Sequence, residues 1–413
     1  MRNKAIIAEV KTLSANISFR NYQFLKITAE DGTVGWAEFD TNFGSPGVAP
    51  IINELSHRLI GQSAMYHEFV YEDLRNMTRP AWGGGGVIGE ALGAIENAML
   101  DLKAKTLDVP AYVLLGGKVR DKLRVYWSHC VSYRHGRASH YPPGKAIYDK
   151  DGVRKISREV VDQGFTALKT NIFQYDQDGK ISGWGPGMGT PYEPGRSVER
   201  KVLEGMREHL DLMRATTGPD MDILIDLNFN MRTEGYLRTL RALEDVDLFW
   251  VEIDTMEADT LAYIRSQSKH AIASCETLIG LPQFLPYFQK QAVDVAIVDT
   301  PWNGVWQSMK IAAAAAAFEV NVAPHNFYGH LATMMNAHFS AAVPNFRIME
   351  TDIDRIAWEH ELFTHLPEYK DGYLIVPDRP GWGTEPNEAA FAKYPPNPDL
   401  GPTKRTKPGF LTI

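Results

Sequence analysis

Eight short apolar runs, each ending on a polar residue, set the pattern of the chain from about residue 120 onward. "LRVYWSH" ends at His129 and "TALKTN" at Asn171, while "ILIDLNFN" opens on three aliphatic residues and turns polar at Asp226 and Asn228. "LFWVEID" carries Glu252, "AIASCET" Glu276, "VAIVDT" Asp299, "NVAPHN" His325 and "FRIMET" Glu350. Near-continuous aliphatic runs of this length mark strands buried on both faces. The last six polar residues, Asp226 to Glu350, are spaced by 26, 24, 23, 26 and 25 positions, which is about one strand, one helix and two loops. Eight such units predict a TIM-type α/β barrel, since parallel strands need crossovers and eight of them close well. A doubly wound open sheet would seldom place a polar residue at nearly every strand end.

Residues 4–40 follow a different pattern. "AIIAEVKTL", "YQFLKITAE" and "TVGWAEF" alternate as strands do around the turn Asp31-Gly32, predicting a small antiparallel sheet. From Glu90 to Lys105 the apolar residues Ala91, Leu92, Ile95, Ala98, Met99 and Leu102 recur every three or four positions, predicting an amphipathic helix. The expected organisation is an α+β domain over residues 1–120, a barrel over 121–370 and a tail over 371–413 that wraps back along the surface. Between Lys169 and Asp226 one unit is too long, and the excess, "QYDQDGKISGWGPGMGTPYEPGR", is too rich in Gly and Pro for a helix. Following a strand, it is expected as a loop on the carboxyl-end face, where barrel enzymes build their sites, with a solvated insertion as the alternative.

Composition narrows the field. Hydrophobic residues at 44% and charged residues at 23% describe a globular chain with a large core. A net charge of −8 without a basic stripe argues against nucleic acid. Two cysteines, Cys130 and Cys275, suit a reducing compartment, and neither an apolar leader nor a membrane-length apolar run appears, so the expectation is a cytoplasmic protein with no membrane partner.

A lone acid at a strand end usually caps the next helix. Asp226, Glu252 and Glu276, on three successive strands of one barrel, would instead share a space only a few ångströms wide, where like charges raise one another's pKa. That predicts a bound cation, and an oxygen-only donor set selects a hard one, Mg²⁺ ahead of Mn²⁺. Asp299 and His325 on the next two strands predict a carboxylate-oriented imidazole able to move protons. Lys169, on the second strand, is expected near the cation with a lowered pKa. Such a set suits removing a proton from carbon next to a carboxylate.

These residues resemble the enolase superfamily, in particular its mandelate racemase-like subgroup with many acid-sugar dehydratases. The resemblance spans nearly the whole chain: "DGTVGWAE", "ALGAIENAMLDLKAK", "LLGGKVRDKLRVY", the three acids, "VDTPWNGV", "APHNFYG" and "PGWG". It implies a modified (β/α)7β barrel under an amino-terminal capping domain. By position, Asp226, Glu252 and Glu276 resemble the metal ligands, Asp299 and His325 the dyad, and Glu350 the eighth-strand acid that holds the enediolate. Lys169 resembles the first lysine of a Lys-x-Lys pattern whose second position is here Asn171, which argues against racemisation. Galactonate dehydratase-like members carry a His two residues after the first metal Asp; this chain has Asn228. The implied substrate-binding residues are Asn171, Asn228, Trp82, Asn42 and His129. The implied activity is Mg²⁺-assisted removal of water from a sugar acid, an aldonic or aldaric acid, giving a 2-keto-3-deoxy acid; relatives of this kind commonly form homo-oligomers. The alternatives are a cycloisomerase or epimerase on the same scaffold and a catalytically silent metal-binding homologue. A barrel metallohydrolase is disfavoured because "SHC" at 128–130 supplies one His rather than His-x-His.

Overall fold

The computed structural model describes residues 4–41, 45–82, 85–142, 144–184 and 198–400, apart from the side chains of residues 81, 82 and 184. A three-stranded antiparallel sheet, β1 (Ile7–Asn16), β2 (Asn21–Ala29) and β3 (Val34–Phe39), packs on α1 (Val48–Leu59), α2 (His67–Trp82) and α3 (Val87–Thr106). Leu25, Ile27, Ala37, Ile52, Leu74, Ile95 and Met99 share one apolar cluster between these layers. The short α4 (Ala111–Leu114) leads into the second unit.

That unit is a closed parallel barrel. Its strands are β4 (Lys122–Trp127), β5 (Ala167–Thr170), β8 (Asp222–Asp226), β9 (Trp250–Glu252), β10 (Ile272–Ser274), β11 (Val295–Val298), β12 (Asn321–Pro324) and β13 (Met349–Thr351). Neighbours pair in that order, and β13 returns to β4 with Glu350 opposite Tyr126. The seam between β12 and β13 is closed by Asn345 and Arg347, whose backbones exchange bonds with Val322. Every second strand residue faces inward, so Tyr126, Ala167, Leu224, Trp250, Ala273, Ile297 and Ala323 fill the interior. The crossovers are α5 (Ser132–Gly136) and α6 (Lys150–Asp162), α7 (Arg200–Thr217), α8 (Thr233–Ala242), α9 (Ala258–Ser266), α10 (Leu281–Gln289), α11 (Thr300–Asn303) with α12 (Val305–Ala317), and α13 (His330–Ala342). Among the described residues no helix is long and apolar enough to cross a membrane.

Two expectations change. The segment after β5 begins as a hairpin, β6 (Phe173–Tyr175) and β7 (Ile181–Trp184), rather than an open loop. Asp176 turns it by accepting N–H bonds from Asp178 and Lys180, and Phe173 is buried against His209 of α7. The local alternation was strong enough to pair across Asp-Gly despite the nearby Gly and Pro; the remainder of the insertion lies outside the described residues. Helix α3 has no solvated stripe either, because nearly every residue from Gly89 to Leu102 is buried.

The polar face of α3 is docked on the barrel instead. Glu96 accepts N–H bonds from Trp306 (3.0 Å) and Gln307 (3.4 Å) in the first turn of α12. Asn97 accepts from Val305 (2.7 Å) and donates to the Thr300 carbonyl (3.0 Å). Glu38 of β3 accepts from Gly329 (2.6 Å) and Ala332 (3.1 Å), capping α13. The capping domain thus supplies carboxylates to two barrel helix N-termini, which lack intrahelical acceptors for their first N–H groups and carry partial positive charge. Approach is close: a Cβ on Gly93 would collide with the Trp302 carbonyl, and one on Gly304 (φ +83°) with Glu96. The tail joins the same seam. After β14 (Tyr369–Lys370) and β15 (Tyr373–Ile375), which extends the first half of β4, the Trp382 backbone N–H donates to Asp101 (2.8 Å) and its indole to the Trp36 carbonyl (2.9 Å).

Candidate active site

At the carboxyl ends of the strands lies a cavity of about 200 Å³, lined by His129, Lys169, Asn171, Asp226, Asn228, Glu276, Trp302, His325 and Glu350 among others. Parallel strands put all their carboxyl ends on one rim, so residues far apart in sequence meet there. A larger depression of about 1000 Å³ lies between the hairpin and α7, but its lining, including Glu204, Arg207 and Glu208, holds no residue from the end of a barrel strand.

Three strand ends use left-handed backbone: His129 (φ +49°), Asn228 (φ +46°) and Cys275 (φ +91°). Cys275 matters most. Inward-facing Ala273 would, by simple alternation, put residue 275 inward and Glu276 outward; the left-handed turn at Cys275 brings Glu276 into the cavity instead.

His325 and Asp299 form the expected pair, Nδ1 to Oδ2 at 2.8 Å. Asp299 is held on its other oxygen by the Trp302 N–H (2.8 Å), and the Tyr328 hydroxyl donates to Oδ2. With Nδ1 committed to Asp299, Nε2 is left toward the cavity, 3.6 Å from Glu276. Burial works against protonating His325, but Glu276 and Asp299 outweigh it and raise the pKa to about 10.

Lys169 stands among carboxylates. Its Nζ lies 3.0 and 3.2 Å from the two Glu252 oxygens, 3.1 Å from Glu350 and 3.7 Å from Asp226. Burial disfavours its charge, yet Glu252 and Glu350 hold its pKa well above the usual lysine value. Glu350 also accepts from Ser128 and from the Asn326 N–H (2.8 Å). Burial would raise Glu350, but Lys169, His325 and His129 hold it at about 2.

The expected metal ligands are brought to one rim without closing on one point. Among the described residues, no three acidic, imidazole or thiol groups stand at the spacing of a finished metal site. They are nevertheless electrostatically one cluster, joined by a residue the sequence reading passed over. Asp254, two positions beyond Glu252 and 3% exposed, has a buried Oδ2 with no hydrogen-bond partner. Burial, then Asp226 and Glu252, push Asp254 well above the carboxylate range; burial, then Asp254, do the same to Glu276. This is an excess of negative charge on oxygen donors beyond what Lys169 and His325 neutralise. The donor chemistry fits a hard divalent cation. The signal for Asp254 was available: Trp250, Glu252 and Asp254 share one face by period two.

The remaining expected residues differ. Asn171 accepts from Ser132 and donates to the Asp226 carbonyl (3.3 Å), so its amide braces the rim. Asn228 lines the cavity with its Oδ1 buried and unpartnered, as is the indole N–H of Trp302. His129 lines it too, paired to Asp352. Asn42 lies outside the described residues; Trp82 ends α2, and its side chain also falls outside them.

Comparison with known proteins agrees with this architecture. Residues 4–116 match the mandelate racemase / muconate lactonizing enzyme N-terminal domain, and residues 152–390 the enolase C-terminal domain-like family. A D-galactonate dehydratase family member of Streptomyces bingchenggensis is 29% identical, covering 95% of this chain and 94% of its own. The D-xylonate dehydratase of Haloferax volcanii is 26% identical, covering 91% and 86%. A crystal structure from Burkholderia xenovorans, of a protein provisionally named an L-alanine-DL-glutamate epimerase and bound to magnesium and fumarate, is 55% identical. It covers 97% of this chain and 99% of its own with a TM-score of 0.93. With both domains matched and the strand-end acids, dyad and lysine assembled at one barrel mouth, the chain belongs to the mandelate racemase-like subgroup of the enolase superfamily.

Proposed function

We propose that the chain is a Mg²⁺-dependent hydro-lyase that removes water from a sugar acid, an aldonic or aldaric acid, to give a 2-keto-3-deoxy acid. The observation that carries this reading is the His325–Asp299 pair opening into the same cavity as Lys169, Glu350 and the acidic cluster. Asp226, Glu252 and Glu276 would hold the metal, which when bound supplies positive charge against the two oxygens of the substrate carboxylate. Glu276, the first of the charges that keep His325 protonated, would be neutralised by such a cation, so that Nε2 is able to take the proton from the carbon next to that carboxylate, and Asp299 keeps the imidazole in the tautomer that can accept it. Lys169 lies on the carboxylate side and offers N–H donors as charge builds there. Glu350, itself anchored by Ser128 and Asn326, keeps that ammonium in place. Curated relatives named as sugar-acid dehydratases support the reading, as does the neighbouring structure, whose ligands are a hard dication and a dicarboxylate.

The test is direct. His325→Asn, incubated with Mg²⁺ and a panel of aldonic and aldaric acids, is expected to form no detectable keto acid; turnover close to the wild type would overturn the assignment. Epimerisation is the second reading, favoured by the name of the 55%-identical neighbour. Asn171 in place of a second strand lysine weighs against it, because exchanging a proton between two faces of one carbon needs a carrier on each. Solvent deuterium entering a product of otherwise unchanged mass would establish epimerisation, whereas loss of water establishes elimination.

A further inference from the structure

The cavity contains a second imidazole–carboxylate pair. His129, at the end of the first barrel strand, places Nδ1 2.9 Å from Asp352 Oδ1. The ring lies flat on Tyr133, with centroids 4.2 Å apart and planes 12° from parallel. Asp352 is 2% exposed while the His129 side chain is 21% exposed, so the carboxylate is shut in and the imidazole reaches the cavity. Nε2 has no hydrogen-bond partner among the described residues. This repeats the layout of His325: Nδ1 fixed by a buried acid, a neighbouring aromatic ring, and Nε2 free for chemistry. The strand that carries Glu350, β13, lies between β12, which leads to His325, and β4, which leads to His129, and all three residues line the one cavity. Burial works against ionising Asp352, but His129, Arg355 and Arg20 hold it well below the usual range, so the acid facing Nδ1 is an anion.

We infer that His129, oriented by Asp352, is the general acid that protonates the departing β-hydroxyl while His325 takes the α-proton. The inference rests on the dehydratase reading above. The C2–H bond breaks with its proton going to His325 Nε2 and its electron pair forming the C2–C3 double bond. The C3–O bond breaks with its pair on oxygen, which takes a proton from His129 Nε2 and leaves as water. The resulting enol tautomerises to the 2-keto acid, and solvent returns both imidazoles to their starting protonation. Dividing the labour assigns the second proton carrier to the β-oxygen and not to the other face of C2, where Asn171 stands in the usual lysine position. A stacked, acid-paired histidine with no proton to move would be as well placed merely to orient substrate; the experiment separates the two.

The wild type, His129→Asn, Asp352→Asn and His325→Asn are compared in deuterium oxide with Mg²⁺ and a panel including D-galactonate, D-xylonate and D-gluconate. Keto acid and deuterium at C2 of recovered substrate are both measured. His129→Asn is expected to lose at least about 100-fold in keto-acid formation while still washing deuterium into C2. Asp352→Asn, which keeps the imidazole, shows the same split with a smaller loss, and His325→Asn does neither. The 3-deoxy-3-fluoro analogue of the acid the wild type dehydrates loses fluoride, which needs no proton. It should bring His129→Asn back to within about tenfold of wild type. Keto-acid formation by His129→Asn within about threefold of wild type would overturn the inference. So would joint loss of exchange and elimination with no fluoride rescue. If the wild type dehydrates no member of the panel, the dehydratase reading fails first and takes this inference with it.

Discussion

The seam between the two domains and the mouth of the barrel both bury carboxylates, and they satisfy them in opposite ways. At the seam Glu38, Glu96 and Asp101 each accept at least two backbone N–H bonds. At the mouth burial comes first and like charge adds to it, Glu252 raising Asp226, Asp226 and Glu252 raising Asp254, and Asp254 raising Glu276, and Asp254 keeps an oxygen with no partner. A buried carboxyl group met by fixed dipoles holds structure together, whereas one met by like charge is retained against the stability of the fold. The contrast identifies which acids are there for the fold and which for a ligand.

The largest expected effect tests the mouth. His325→Asn should lower keto-acid formation by at least about a thousandfold and leave the urea midpoint close to wild type, as a mouth residue serving chemistry should. At the seam the order reverses. Glu96→Ala strands the Trp306 and Gln307 donors and is expected to cost roughly 3 kcal/mol of stability, read from urea unfolding, while the folded fraction keeps its turnover. Asp254→Asn should go the other way. Removing one member of the repelling set is expected to stabilise the protein in EDTA by about 1 kcal/mol and to shrink the rise in melting temperature that Mg²⁺ produces. A seam-like loss of stability in Asp254→Asn would break the comparison.

A last test of the seam is its pH dependence. Burial outweighs the N–H bonds to Glu96 and raises its pKa from an ordinary 4.5 to about 8. Between those values the folded chain keeps a proton that the unfolded chain has released. The stability this contributes is complete below pH 4.5 and is lost as pH rises through 8. Glu96→Gln should flatten that part of the profile, measured as the difference between urea midpoints at pH 5.5 and 8.5.

The barrel was legible because buried parallel strands write themselves as aliphatic runs, and the polar residue ending each run marks the functional rim. Asp254 was missed because one polar residue per strand end was taken as the signal, although period-two alternation places two there. The acids around Lys169 were not legible, because it touches Glu252 and Glu350 from other strands directly. Glu96 and Asn97 stand in a motif that was recognised, but their partners lie more than 200 residues along the chain, and no local pattern announces such a pairing. The helices α1 and α2 were not individually read, and the hairpin after β5 was hidden by the Gly and Pro that follow it.

The caps on α12 and α13 also constrain which anions this scaffold can welcome. Helix amino ends facing a barrel's mouth commonly serve as seats for phosphate groups; here Glu96 and Glu38 already sit in two of them. A phosphorylated sugar would meet a carboxyl group at these two helix ends, where other barrels offer bare amides.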